Sequence, residues 1–293
     1  MSHRGVIVVS GASRGVGRVA AEMLADVGYV VFAGVLGAAE AAAWADVRVA
    51  ERRIVPVALD ITRQEQIDAL SSALDADGRG LPLVALVNVA GLAQFDAIEH
   101  VDPRVMRRIF DVNVFGALAL TQALLPRIKQ SHGRLVFVTS MAARASAPLL
   151  GVYSATKAAM ESLIDALRVE LRPWAVSVTM VEPGGIRTRM TDEALVHLRQ
   201  ASSRSAAEGA GSAPYVAAYD SIANAIVTGV DKYLAPEAVA ATLVRLVQAP
   251  RVKTRYLVGF DAKVIVMLRR LLSDRLLDAL FAKQFKLANK GGA

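Results

Sequence analysis

Tyr153 and Lys157 stand four residues apart in Tyr153-Ser154-Ala155-Thr156-Lys157, a spacing that puts both side chains on one face of a helix. A lysine cation beside a phenol favours the phenolate and lowers the tyrosine pKa, which is what a side chain needs if it is to accept an alcohol proton near neutral pH. Ser140, thirteen residues upstream at the end of an apolar run, adds a hydroxyl at the carboxyl end of a strand, where parallel sheets bind ligands. Alone, the pair also fits an ordinary exposed helix pair. A second pattern, Gly11-Ala12-Ser13-Arg14-Gly15-Val16-Gly17, follows the first apolar run directly and opens a helical segment. Its glycines allow a tight turn and close approach of backbone to a pyrophosphate, which a helix N-terminus then holds. The spacing departs from the usual dinucleotide fingerprint, and such a run is also compatible with a strand-to-helix turn that binds nothing.

The elements that must position these groups follow from the hydrophobic pattern. Short Val/Ile/Leu runs alternate with Ala-rich segments of helical period, as in parallel strands joined by crossover helices. Strands are expected at Val6–Ser10, Tyr29–Ala33, Ile54–Leu59, Leu83–Asn88, Arg134–Ser140, Ser177–Val181 and Tyr256–Val258. Helices are expected near Gly15–Val27, Ala38–Ala50, Arg63–Leu74, Pro103–Gln130, Tyr153–Leu171 and Pro236–Gln248. The series implies an α/β fold with one doubly wound, seven-stranded parallel sheet, helices on both faces and a single domain over residues 1–260. Residues 186–235 break the rhythm with the small-residue run Ala201–Pro214 and read as an irregular substrate lid. Residues 261–293 read as an amphipathic C-terminal helix and tail, with Val266, Leu268, Leu271, Leu272, Leu276, Leu280 and Phe281 between basic residues.

Composition narrows the function. The chain has 293 residues, 54% of them hydrophobic, which is enough for one large core. There is no cysteine, so no disulfide, thiolate metal site or cysteine nucleophile is available, and no metal site is expected. The run Val6–Val9 is too short for a signal segment, no stretch reaches the length of an uninterrupted membrane span, and the expected location is the cytoplasm. A net charge of +7 is spread along the chain rather than gathered on one face, so nucleic acid is not an expected partner. The basic residues gather most toward the C-terminus (Lys263, Arg269, Arg270, Arg275, Lys283, Lys286 and Lys290), where the amphipathic helix allows peripheral contact with a membrane.

Together the motifs resemble the classical short-chain dehydrogenase/reductase family over nearly the whole chain, which implies a Rossmann fold. The segment Ser10–Gly17 is similar to that family's cofactor loop, which assigns Gly11, Ser13, Arg14, Gly15, Val16 and Gly17 to NAD or NADP. Tyr153 and Lys157 match its active-site motif, and Asn113, within Asp111-Val112-Asn113-Val114, and Ser140 complete a catalytic tetrad. The resemblance further assigns Asp60 and Ile61 to the adenine side and Asn88, Ala90 and Gly91 to the loop after the fourth strand. Pro183, Gly184, Ile186 and Thr188 fall to the nicotinamide side, and Tyr153 and Lys157 also touch the cofactor. Val89-Ala90 stands where the family has a second asparagine, and Gly34 stands where NAD enzymes carry an acidic residue for the ribose.

The resemblance implies an enzyme that interconverts an alcohol and its carbonyl. Tyr153 would act as acid/base, Lys157 would hold the ribose and lower the tyrosine pKa, Ser140 would bond the substrate oxygen, and Asn113 would hold a relay water. A weaker resemblance to the hydroxybutyrate, retinol and 17β-hydroxysteroid dehydrogenase branch favours NAD, whereas Arg14 favours NADP, and the balance leans slightly to NAD. The apolar turn Met141–Leu150, with Ala143, Ala147, Pro148 and Leu149, favours a lipophilic substrate over a short hydroxy acid, for which Arg144 or Arg187 would be the anchor. Ala117, Leu118, Leu120, Ala155, Ala158, Ala159, Leu163 and Ala166 lie on two helices through which proteins resembling this family pair, so a homodimer or homotetramer is expected. A non-catalytic, cofactor-binding regulatory protein and a dehydratase or epimerase on the same fold stay open as alternatives.

Overall fold

In a run such as Val6-Ile7-Val8-Val9, alternate side chains point to opposite faces of a strand, so a run with no polar member needs cover on both sides. The computed structural model of the protein, which describes residues 4–42, 44, 53–209 and 212–287, provides it. Strands β1 (Val6–Val9), β2 (Val30–Val35), β3 (Ile54–Ala58), β4 (Leu83–Asn88), β5 (Arg134–Val138), β6 (Ser177–Pro183) and β7 (Arg255–Val258) form one parallel sheet in the order β3-β2-β1-β4-β5-β6-β7. Val6 and Val8 join one core with Phe32, Leu86, Leu135 and Met180, while Ile7 and Val9 join the other with Val31, Val87, Val136 and Val181.

Helices α1 (Gly15–Asp26) and α9 (Pro236–Gln248) cover the second of these cores. The first is covered by α3 (Gln64–Asp75), α5 (Ala117–Gln130) and α6 (Gly151–Glu170). A short helix α2 (Ala38–Ala42) follows β2, and the rest of the helix expected over Ala38–Ala50 lies outside the described residues apart from Trp44. The chain winds from β1 toward β3, then returns to β4 on the other side of β1. This places the topological switch point, where doubly wound sheets hold their ligands, between the carboxyl ends of β1 and β4.

The expected helix Pro103–Gln130 is continuous but contains a π-helical turn, Asp111–Gly116, between α4 (Pro103–Phe110) and α5. Among the described residues this stretch alone is long and apolar enough to cross a membrane, and half of that apolar window is buried in the fold, as expected of a core helix.

Two expectations are corrected. Residues 186–235 are not irregular: they form α7 (Arg189–Ala207) and α8 (Ala213–Gly229), packed on each other through Leu198, Ala201, Ala218, Tyr219 and Ile222. Small residues such as Ala201, Ser202 and Ser205 read as soft because they lack apolar bulk, yet they are buried where the two helices meet. The terminal helix is also two helices, α10 (Phe260–Leu271) and α11 (Asp274–Gln284), divided at Ser273, whose hydroxyl accepts from the Leu276 N–H and caps the second.

The α7–α8 pair is tied to the body by buried Asp96, in the segment after β4. Asp96 accepts two bonds from Arg204 of α7, at 2.8 and 2.9 Å, and one from the Tyr219 hydroxyl of α8. Replacing Asp96 with alanine leaves the buried Tyr219 hydroxyl without its acceptor and frees Arg204 to solvent, so stability should fall by about 1–3 kcal/mol. Limited proteolysis should then cut first within residues 189–229, and denaturant unfolding measures the loss.

Candidate active site

Helix α6 begins beside the end of β5, so its first turns face the switch point. Tyr153 and Lys157, four residues apart on it, both line a cavity of about 550 Å³ that also receives Ser140 from the end of β5. Tyr153 is half-buried and Lys157 almost fully buried. The Lys157 ammonium donates to the Val138 carbonyl at 3.1 Å and stands 5.7 Å from the centre of the Tyr153 ring. The Ser140 hydroxyl accepts from the Ala142 N–H at 3.1 Å and stands close enough to the Tyr153 phenol to influence its pKa.

Burial lowers the Lys157 pKa to about 8, partly offset by the negative charge of Glu161. Burial also raises the Tyr153 pKa, against a smaller opposing effect of the Ser140 hydrogen bond. The sequence-based expectation that Lys157 holds Tyr153 below its ordinary value is therefore not met by the fold as it stands. Desolvation of the phenol dominates, and the ammonium is directed at a backbone carbonyl.

The glycine loop is shaped by contact. Gly11 and Gly15 have φ of +67° and +57°, a Cβ on Gly11 would stand 2.7 Å from the Ala90 backbone, and one on Gly17 would overlap the Gly11 carbonyl. The Ser10 hydroxyl accepts from Val89 and Ala90 N–H at 3.1 and 3.2 Å and so locks the loop to the one after β4. The N-cap of α1 makes no side-chain cap bond and its first turn has no acidic residue, so its amide donors face the cavity uncompensated. These features fit a dinucleotide pyrophosphate. Such a cofactor would be held by Gly11, Ser13, Arg14, Gly15, Val16 and Gly17, all of which line the cavity.

Asp60, Ile61, Ala90, Gly91, Pro183, Gly184, Ile186 and Thr188 line it as well. Burial raises the Asp60 pKa, but the bonds from Thr62 and the nearby charges of Arg108 and Arg63 hold it below the usual carboxylate value. Two assigned residues stand apart from the cavity. Asn88 donates to Thr121 of α5 at 3.2 Å, and its carboxamide oxygen is buried without a partner. Asn113 spends its side chain on the Leu92 N–H and carbonyl, at 2.7 and 2.8 Å, and on Thr156 at 3.0 Å. Its side-chain amide thus holds the β4 loop against α6. Gly91 lies between Asn113 and Lys157, where a Cβ would meet both at 3.3 and 3.5 Å.

Of the apolar turn, Met141, Ala142, Ala147, Pro148 and Leu150 line the cavity, whereas Ala143 and Leu149 do not. The opposite wall comes from the two segments expected to cover the site, the 186–235 lid and the terminal helix, through residues that the sequence did not single out: Ser221, Ile222, Ala225 and Ile226 of α8, with Gln284 and Phe285 at the end of α11. The apolar period of both helices was the available signal. Neither Arg144 nor Arg187 lines the cavity. Arg144 lies 3.2 and 3.5 Å from buried Glu161 and Glu182, and Arg187 is exposed. The arginines that do line it are Arg14, Arg108 and Arg189. Arg14 and Arg189 share Glu193, at 3.1 and 3.3 Å, and Arg108 faces Asp60.

Residues 5–197 match the short chain dehydrogenase family. The chain is 35% identical over 185 residues to estradiol 17-beta-dehydrogenase 2 of Rattus norvegicus, a match that spans 63% of this chain and about half (49%) of the rat protein. It is 30% identical over 289 residues, 95% of this chain, to the NADPH-dependent 3-dehydrocapnine reductase of Ornithobacterium rhinotracheale, 96% of which is covered. Among solved structures, a short chain dehydrogenase from Burkholderia cenocepacia in complex with NADP is similar at a TM-score of 0.71 and 27% identity. That match covers 96% of this chain and 98% of the other.

A lysine whose folded pKa lies below its unfolded value destabilises the fold most where it is charged in both states, below about pH 8. The cost fades as pH rises from about 8 toward the unfolded value, because the folded lysine loses its proton first. Lys157→Met should therefore unfold at a higher temperature than the native protein at pH 7, by about 1–3 kcal/mol of stability. The gain should shrink steadily toward pH 10, as thermal melts across that range would record.

Proposed function

This chain belongs to the short chain dehydrogenase family, and on that premise we propose that it is an oxidoreductase moving hydride between NADP(H) or NAD(H) and a lipophilic alcohol or ketone. One observation carries the reading: the Tyr153 phenol, the Ser140 hydroxyl and the Lys157 ammonium converge in the cavity that the uncapped end of α1 and the glycine loop open into. The nicotinamide, when bound, supplies or takes the hydride. In reduction, the Tyr153 phenol gives its proton to the substrate oxygen while the Ser140 hydroxyl bonds that oxygen and steadies its growing charge. In oxidation, Tyr153 takes the proton back. Lys157, whose ammonium stands 5.7 Å from the centre of the Tyr153 ring, would hold the ribose of the bound cofactor and bring a positive charge to the same end of the cavity.

The walls support the substrate class. Met141, Pro148, Leu150, Ile222, Ile226 and Phe285 present apolar surface, and neither arginine considered as an anchor for a short hydroxy acid lines the cavity: Arg144 pairs with Glu161 and Arg187 is exposed. The charges support NADP(H) more than NAD(H), despite the branch resemblance. Gly34 offers no carboxylate at the end of β2, and a Cβ there would stand 2.6 Å from Leu59. Arg14, half-exposed on the cavity rim, offers a cation. The relative covered at 96% is named as NADPH-dependent.

Pairing of two chains is part of the proposal. Ala155, Ala158, Leu163 and Ala166 of α6 and Phe115 beside it are exposed, whereas Ala117 and Leu120, expected on the same surface, are buried in the chain's own core. Phe115 was not foreseen.

Purified protein supplied with NADPH should reduce steroid, retinoid or long-chain ketones and aldehydes, read as loss of nicotinamide absorbance. Tyr153→Phe should lower turnover by about 10² to 10⁴ with cofactor affinity nearly unchanged. Near-native turnover in that variant, or reduction of short keto acids alone, would overturn the reading. Arg14→Ala should weaken NADPH by about 1–3 kcal/mol and NADH much less, and equal losses in two titrations would show that Arg14 does not read the phosphate.

A further inference from the structure

One turn beyond Lys157 on α6 stands Glu161, a carboxylate buried in a helix whose neighbouring inward positions are Met160 and Ile164. It is not free. The Thr139 hydroxyl donates to its Oε1 at 3.0 Å, and Arg255 of β7 donates to its Oε2 at 2.6 Å. Arg144 lies 3.2 Å from it. Arg255 also bonds Glu182 of β6 at 2.8 Å and Asp165 of α6 at 2.6 Å, and Asp165 takes a further bond from Arg168 at 2.7 Å. Three arginines and three carboxylates thus close a network in which Arg255 donates to both buried carboxylates, Glu161 and Glu182.

The placement is specific. Val138, whose carbonyl takes the Lys157 ammonium, Thr139, which bonds Glu161, and Ser140, whose hydroxyl reaches Tyr153, are three consecutive residues at the end of β5. Around Lys157 stand Tyr153 and Glu161 on its own helix, the Val138 carbonyl on β5 and the neutral Asn113 amide across Gly91. Glu182 on β6, Arg255 on β7 and Arg144 after β5 reach it only by way of Glu161. Glu161 is therefore the charged group nearest in the chain to the lysine, on the same helix face and one turn away.

We propose that Glu161 is a positioning residue for the oxidoreductase chemistry: its buried carboxylate, oriented by Arg255, Arg144 and Thr139, keeps the Lys157 ammonium protonated beneath Tyr153 and fixes the strand end that carries Ser140. The inference rests on the oxidoreductase reading of the cavity. Its physical basis is that a buried ammonium without a counter-charge gives up its proton. The opposing influence of Glu161 on Lys157 agrees with this. Burial and Glu182 raise the carboxyl pKa of Glu161 itself, and Arg255 and Arg144 hold it in check.

The test needs no cofactor. In protein labelled with ¹³C-lysine, the Lys157 Cε signal, assigned by its absence from Lys157→Met, is followed against pH. Its midpoint should fall by about half a unit or more in Glu161→Gln and return toward the native value in Glu161→Asp. Where Glu161→Gln does not fold, the charge-balanced pair Glu161→Gln/Arg255→Met takes its place with the same expected direction. An unchanged midpoint in whichever of these folds overturns the proposal. With NADPH and a reducible ketone, the loss of activity at high pH should move to lower pH in the same variant, with kcat affected more than KM. Wild-type protein that reduces nothing with NADPH would sink the oxidoreductase reading, and the lysine titration would still decide the role of Glu161.

Discussion

Burying the Lys157 ammonium is the constraint on which the surroundings of the cavity's reactive end depend. Lys157 is 6% exposed, and a buried charge is tolerated only when hydrogen-bonded and countered. The fold meets this demand from several directions. The Val138 carbonyl takes a proton bond, Glu161 supplies a negative charge one turn away, and Gly91 leaves room that a side chain would take. The π-helical turn at Asp111–Gly116 brings Asn113 against Leu92 and Thr156, and so joins the β4 loop to α6 at the level of the lysine. Glu161 in turn is buried and needs Arg255 and Arg144. One buried charge has thereby drawn in groups from α6, β5, β6 and β7.

A second constraint meets the first at the switch point. The loop after β1 can hold a pyrophosphate only if its backbone comes close, and here it comes close to protein as well. Gly11 presses on Ala90, Gly17 on Gly11, and Ser10 ties both loops together. The glycines are needed for packing whether or not a ligand is present, so the loop keeps the donors of α1 aimed at the cavity.

The sheet was legible in the sequence because a buried parallel strand has no polar face, and all seven runs could be read from Val/Ile/Leu clustering. Tyr153, Lys157 and Ser140 were legible because their spacing is local to one helix and one strand end. The lid helices were not, because Ala201, Ser202 and Ser205 pack a close helix pair without apolar bulk. The division of the terminal helix was readable in principle from Ser273 followed by Asp274, an N-cap signal inside an apolar period. The network around Arg255 lies far beyond any local pattern, since its members are spread from residue 144 to residue 255. Its trace is a pair of charged residues, Glu161 and Glu182, each set beside core residues, Met160 and Ile164 for the first and Val181 for the second.

On the proposed reading, the reacting groups and the far wall of the cavity belong to different packing units. Ser140, Tyr153 and Lys157 belong to the sheet and to α6, whose core is continuous with the strands. The far wall of the cavity belongs to α8 and α11, whose buried residues form separate small clusters around Tyr219 and around Phe281. These units reach the body through few polar ties, chiefly the bonds of Asp96 to Arg204 and Tyr219 and the parallel bridge between Ile186 and Leu234, and they reach each other through the bond from Ser221 to the Gln284 carbonyl. Changes at Ile222, Ile226 or Phe285 therefore act first on the shape of the cavity, and they reach the turn that follows Ser140 through Leu149 and Ala145, which share those small clusters.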